Sequence, residues 1–274
     1  APPVPGFSPT LSRFLLYTFP SSMSTQHAST DREGMRINKY IAHAGVCSRR
    51  DADDLVEQGR VQIDGETVTE HGTRVYEGQR VTVDGEEVYP LEFEYLLLNK
   101  PKDTISTTDD PKGRDTVLDA IGVPADNPSG LFPVGRLDRN TTGALLVTND
   151  GDLAHRLMHP RYEIPKIYYV RAQDRVKPHQ LDRLERGVQL EDGDAAADQV
   201  AYLDPNAKTD IALELHEGRN RQIRRMMEAL GHTIVQLERA KYASLPLGRL
   251  QRGDWRRLKP HEVRELYTRV DLTP

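Results

Sequence analysis

GRLDRNTTGALLVTNDG, Gly135–Gly151, sets an aspartate between a leucine and an arginine, turns through Thr-Thr-Gly and then runs into an apolar stretch. The apolar run ALLVTND reads as a buried strand, and GDLAHRLMH directly after it as a helix. On composition alone Asp138 is a turn or cap residue whose carboxylate accepts from nearby backbone N–H groups. Glycines at 135 and 143 and the pair Thr141 and Thr142 make its setting unusual enough to leave a chemical role open.

The same alternation extends outward on both sides. YLLLNK, KIYYVRA, DIALELH and TIVQLERAKY are strand-like, whereas KPHQLDRLERG and RNRQIRRMMEALG are helix-like. Strands outnumber helices and the connections are short. The expected fold over residues 95–274 is therefore α+β, a mostly antiparallel sheet with flanking helices, and not a doubly wound parallel sheet. Neither GxGxxG opening a helix nor GxxxxGK[ST] occurs, so dinucleotide and nucleoside-triphosphate sites have no support.

Upstream the pattern changes. Ile37, Tyr40, Ile41 and Ala44 recur at helical spacing and Gly45 ends that helix. Ser48 and Asp51 stand at capping-box spacing and open a second helix carrying Leu55 and Val56, which Gly59 stops. RVQIDGETV and RVTVDGEEV then repeat a strand, Asp-Gly turn, strand phrase suited to hairpins. Residues 35–88 thus read as a small domain of two helices and a small sheet, and YPLEFE, 89–94, as a linker. Residues 1–34, rich in Pro, Ser and Thr without a sustained period, read as a disordered leader, with Met23 or Met35 as alternative starts.

Bulk properties limit the function classes. A chain of 274 residues has room for a small domain joined to a larger one. Charged residues make up 29% and no apolar run is long enough to span a bilayer, so a membrane role is not expected. One cysteine, Cys47, forms neither a disulfide nor a CxxC clip, which points to the cytoplasm. Nine histidines invite a metal, but HExxH is absent and His155 and His159 lack a third ligand, so none is expected. A GxSxG elbow is also missing.

The net charge of −5 gives no global pull on nucleic acid, which makes its distribution decisive. From Arg239 to Lys259 seven basic residues face one acid, Asp254, and EGRNRQIRRM just upstream carries Arg219, Arg221, Arg224 and Arg225. The acids gather elsewhere, at Glu191–Asp198 and Asp51–Glu57. One side of the protein is expected to face a polyanion.

From Met35 onward the chain resembles the bacterial ribosomal RNA pseudouridine synthases of the RsuA/RluB type. RINKYIAHAGVCSRRDADDLVEQGRVQIDG is similar to the N-terminal S4 RNA-binding module of that family. LLLNKP with STTDDPKGRDTV, LFPVGRLDRNTTGALLVTNDGDLAHRLMHP, PKIYYV, GVQLEDG and EGRNRQIRRMMEALGH follow in the family's order. The resemblance implies site-specific isomerisation of uridine to pseudouridine in ribosomal RNA, without a cofactor, by an enzyme expected to be a monomer. It leans to the large-subunit 23S RNA over the small-subunit 16S RNA, with naked RNA or a ribosomal subunit assembly intermediate as partner. A non-catalytic S4-type assembly factor is the competing reading.

The resemblance implies three catalytic residues. Asp138 matches the family's essential aspartate, Arg224 the cation that keeps a buried carboxylate ionised, and Tyr168 the ring that stacks on the uracil. Without the family, Tyr168 is an ordinary half-buried strand residue. Arg136 and Arg139 are placed to grip an extruded nucleotide. Lys39, Arg49, Arg50 and Arg60, with Arg219, Arg221 and Arg225, are expected on the RNA backbone, against the plainer reading of solvated surface charge. Two positions depart from the family pattern: Asp103 stands where many relatives have glycine, and Ala144 replaces a larger aliphatic residue.

Overall fold

The computed structural model describes residues 34–273, so the leader expected over 1–34 lies, apart from Gly34, outside the described residues. In chain order the elements are β1 (Met35–Arg36), α1 (Ile37–His43), α2 (Arg49–Glu57), β2 (Val61–Ile63), β3 (Glu66–Val68), β4 (Arg74–Val75), β5 (Val81–Val83) and β6 (Glu86–Glu87). Then come β7 (Tyr95–Lys100), β8 (Phe132–Pro133), β9 (Thr142–Thr148), α3 (Gly151–Met158), β10 (Lys166–Ala172), α4 (Pro178–Arg186), β11 (Val188–Leu190) and β12 (Gly193–Ala195). β13 (Gln199–Tyr202), β14 (Asp210–Leu215), α5 (Gln222–Ala229), β15 (Ile234–Tyr242), β16 (Leu245–Pro246), β17 (Trp255–Arg257) and α6 (Pro260–Arg269) complete the fold. No described helix is long and apolar enough to cross a membrane. Two compact units result, residues 165–241 and the described remainder on either side of them.

Within the larger unit the N-terminal elements form their own core. Ile37 and Ile41 from α1 meet Ala52 and Val56 from α2 over Val61, Ile63, Val81 and Val83. Gly45 ends α1 at φ 74°, and a Cβ there would lie 2.7 Å from the Pro128 carbonyl, so only glycine fits. Ser48 caps α2 by accepting from the Asp51 N–H, as its spacing predicts. Asp64-Gly65 and Asp84-Gly85 both have positive φ, the signature of tight hairpin turns. The hairpins join through β2 and β5, giving an antiparallel order β3-β2-β5-β6.

The rest of this unit is built on β9, whose seven residues are all buried. β7 pairs with it antiparallel from Tyr95↔Thr148 to Lys100↔Gly143, and β17 lies on the far side of β7. α3 supplies Leu153 and Leu157 to the core beside Leu97 and Leu146, and α6 with the residue that follows it supplies Leu266 and Val270. Asp150 caps α3 and accepts from the Tyr95 and Tyr267 hydroxyls. Burial and that carboxylate push the Tyr267 hydroxyl up to about 12.

Residues 165–241 form the second unit. β14 pairs antiparallel with β10 on one side and β13 on the other. α5 packs on β11 of the β11–β12 hairpin. The fold class is the expected α+β with mostly antiparallel strands. One expected element is shorter than its sequence suggests: RNRQIRRMMEALG becomes helical only from Gln222, because Arg221 takes a left-handed φ of 49°.

Candidate active site

Asp138 sits in the loop between β8 and β9, half-buried, and three different groups fix the backbone around it. Ser106 is the first. Its hydroxyl accepts from the Leu137 N–H and donates to the Leu137 carbonyl, both at 3.1 Å. On the other side the Asp138 carbonyl accepts from the Thr141 N–H at 2.9 Å, closing a turn. The third group is Lys100, the last residue of β7, whose side chain has no solvent exposure. Its ammonium donates to the carbonyls of Pro101 (2.9 Å), Arg139 (3.2 Å) and Thr141 (3.0 Å).

A lysine held this way is costly unless its charge has a purpose. Burial pulls the Lys100 ammonium down to about 8, while the carboxylates of Asp138 and Asp103 push it back up and Arg252 opposes them. The loop therefore carries a buried cation electrostatically coupled to Asp138, in a setting where charge acts more strongly than in water. Neither Lys100 nor Ser106 stands out in the sequence, where the one signal is a lysine ending the otherwise apolar strand YLLLNK.

Asp103 accounts for its own departure from the family. It occupies a left-handed conformation, φ 65°, which glycine takes without strain and aspartate tolerates. Its N–H reaches the Arg139 carbonyl at 3.0 Å and its carboxylate lies 3.3 Å from the Arg139 guanidinium. The extra carboxylate thus grips one of the two arginines that flank Asp138.

A cleft of about 290 Å³ opens beside Asp138, with Ile105 and Leu137 among its apolar lining and Arg136 and Arg114 among its cations. Arg114 is tied to Asp110 through two side-chain bonds of 3.0 and 2.7 Å, which hold that carboxyl well below its usual range. Arg136 is exposed on the cleft, so an anionic ligand entering it meets a guanidinium two residues from Asp138.

Tyr168 and Arg224 belong to the unit 165–241. Tyr168 lies on β10 opposite Leu213 and is 9% exposed. Its neighbour Tyr169 points to the other face of the strand, where burial and Glu238 push its hydroxyl up. Arg224 lies half-buried in the first turn of α5.

The remaining cations expected on RNA have varied positions. Lys39 pairs with Asp152 at 2.5 Å, Arg60 clasps Asp84 with two bonds, Arg49 reaches Asn38 at 3.5 Å, and Arg50 is exposed. Arg225 holds the Asp192 carboxylate through bonds of 2.8 and 3.0 Å, and Arg219 donates to the Asp194 carbonyl at 2.8 Å. Both guanidinia are therefore engaged in fastening the β11–β12 hairpin. Arg221 is exposed and 4.0 Å from Glu228. Among the described residues no group of three His, Cys, Asp or Glu side chains is placed to hold a metal ion.

The RNA pseudouridylate synthase profile matches residues 94–229, and the S4 domain profile matches residues 35–81. Ribosomal large subunit pseudouridine synthase B of Bacillus subtilis is 44% identical over 239 residues, covering 86% of this chain and 97% of its own length. This chain belongs to the RNA pseudouridylate synthase family. Its relatives include the Salmonella typhimurium protein of the same name, 38% identical over 87% of this chain and 84% of that one. A crystal structure of a pseudouridylate synthase superposes with a TM-score of 0.61 at 30% identity, over 85% of this chain and 99% of that one. Isomerisation of uridine to pseudouridine breaks the N1–C1′ bond and joins C5 to C1′.

Proposed function

We propose that this protein converts a specific uridine of large-subunit ribosomal RNA to pseudouridine, with Asp138 as the group that meets C1′. The observation that carries this reading is the loop itself. Ser106, Lys100 and the turn to Thr141 constrain the backbone on both sides of one carboxylate, and the cleft beside it presents Arg136. Such pre-set geometry is what a reaction with one developing charge requires.

The chemistry balances without a redox partner. The N1–C1′ bond breaks, the uracil turns while bound, C5 bonds to C1′, the C5 proton leaves and N1 ends protonated. Asp138 acts by stabilising an oxocarbenium-like centre, by covalent attack, or by taking the C2′ proton. Tyr168 is assigned to the uracil ring and to removal of the C5 proton, and Arg224 to keeping the carboxylate ionised. Because no energy input or electron transfer is needed, no small-molecule cofactor is invoked. The S4 module over 35–88 and the Asp138 arginines, Arg136 and Arg139, are assigned to the RNA, and the protein to a monomeric, cytoplasmic enzyme.

The test is tritium release from a large-subunit RNA transcript carrying [5-³H]uridine. Wild type releases label in proportion to pseudouridine formed, and Asp138→Asn releases none while still binding the transcript. Label release by Asp138→Asn at the wild-type rate would remove Asp138 from the mechanism. Release from small-subunit RNA in place of large-subunit RNA would overturn the substrate assignment.

A further inference from the structure

We infer that Trp255 is a stacking platform for an unpaired base of the RNA substrate, at the end of the sheet that carries the Asp138 loop. The inference rests on the RNA-modifying reading above and adds to it an interaction surface. Trp255 is the only tryptophan in the chain, and it is 41% exposed. Tryptophan combines a broad apolar face with a polar edge, which suits it to a wet binding surface.

Its position follows from strand register. β17 runs antiparallel to β7, with Trp255 opposite Leu98 and Arg257 opposite Leu96. β7 ends two residues beyond Leu98, at Lys100, the residue that holds the Arg139 and Thr141 carbonyls. The tryptophan thus stands one strand over and about two residues along from the lysine that anchors the Asp138 loop, a separation of roughly 8 Å. Arg252, three residues before Trp255, is close enough to that lysine to disfavour its charge.

The turn that presents the ring is fixed. Asn99 donates its backbone N–H to the Asp254 carbonyl at 2.9 Å and its side-chain amide to the Leu250 carbonyl at 2.8 Å. The Asn99 carbonyl in turn accepts from Gly253, which holds φ 89°. The ring is therefore presented by a backbone already ordered before any ligand arrives, which lowers the entropic cost of using it.

Charge names the occupant. Residues 249–259 contain Arg249, Arg252, Arg256, Arg257 and Lys259 against the single acid Asp254. Arg256 is committed to Glu262 by two bonds of 2.7 Å and Arg257 pairs with Glu94 at 3.3 Å, while Arg249, Arg252 and Lys259 are exposed. An exposed aromatic in a segment rich in exposed cations suits single-stranded nucleic acid, where the phosphates meet the cations and a base meets the ring.

The single tryptophan makes the test direct. Its fluorescence is titrated with the large-subunit RNA transcript, with a single-stranded oligouridylate and with a fully paired RNA duplex of equal length. The expected result is saturable quenching by the first two and little by the duplex, in wild type and in Asp138→Asn alike. Trp255→Ala is expected to raise KM about tenfold with kcat nearly unchanged, and Trp255→Phe to recover most of the loss. Full RNA binding by labelled-RNA anisotropy without quenching, or a wild-type KM for Trp255→Ala, would overturn the inference. Quenching that depends on protein concentration alone would also overturn it, assigning the edge to self-association. Wild-type tritium release by Asp138→Asn with normal quenching would instead count against the Asp138 reading and leave Trp255 standing.

Discussion

Ser106→Ala deletes one oxygen, and that oxygen makes two bonds to the residue before Asp138. Both are 3.1 Å long, and Leu137 is 6% exposed, so water does not readily replace them. Two neutral hydrogen bonds contribute about 0.5–1.5 kcal/mol each, and a buried amide left without an acceptor brings the expected loss to about 1–3 kcal/mol. In a chain of this size that lowers Tm by about 2–10 °C. The larger effect is kinetic. Freed from its hydroxyl, the Leu137 peptide lets the carboxylate wander, and a misplacement near 1 Å costs on the order of a hundredfold in rate. Single-turnover tritium release is therefore expected to slow by about ten- to a hundredfold, with KM changing much less. Ser106→Thr, which keeps the hydroxyl, recovers most of the rate. A Ser106→Ala enzyme that melts and turns over like wild type would refute the reasoning that this hydroxyl positions Asp138.

Other consequences follow from the same geometry. Asp138→Asn, nearly isosteric, abolishes turnover and leaves the melting curve and RNA affinity close to wild type, as checked by tritium release, calorimetry and RNA titration. Lys100 ties stability to pH: its folded value of about 8 lies below the unfolded 10.5, so between these values the unfolded chain binds more protons and the fold gains stability as pH rises, by up to about 3 kcal/mol. Urea unfolding of wild type and Lys100→Met at pH 7 and pH 10 should show that gain in wild type alone; equal slopes would count against a buried charged lysine. Arg136→Ala lowers RNA affinity and reduces the salt slope by about one. Arg225→Ala releases Asp192 and loosens the hairpin with the salt slope unchanged, and the same loss of slope for both variants would return Arg225 to the RNA.

The fold was legible wherever local signals agreed. Ser48 with Asp51, Gly45 and the two Asp-Gly turns each act within a few residues, so the N-terminal module could be read directly. β9 was equally plain, because a strand buried on both faces reads as an unbroken apolar run. α6 was missed, since PHEVRELYTR is mostly polar and buries little beyond Leu266 and Tyr267. The early residues of RNRQIRRMMEALG read as helical because propensity cannot register the left-handed turn at Arg221.

Legibility of the site divides along the same line. Asp138 and its flanking arginines share one loop, so sequence proximity located them. Ser106 and Lys100 reach that loop from 31 and 39 to 41 residues away, across pairings that exist only in the folded chain. The arginines of EGRNRQIRRM mislead in the opposite direction. As a cluster of positive charge they suggest RNA, yet Arg219 and Arg225 are engaged with Asp192, Gly193 and Asp194. Asp192 belongs to the acidic run that the sequence set apart from them. Local charge density shows where cations are abundant, and only the partners show which of them hold the protein together.

The most direct test of the central claim is a carbodiimide-based map of pseudouridines across ribosomal RNA from cells lacking this protein, complemented with wild type or with Asp138→Asn. The account predicts that one large-subunit uridine loses its modification, regains it with wild type and stays unmodified with Asp138→Asn. A map identical in all three strains, or one restored by Asp138→Asn, would contradict it.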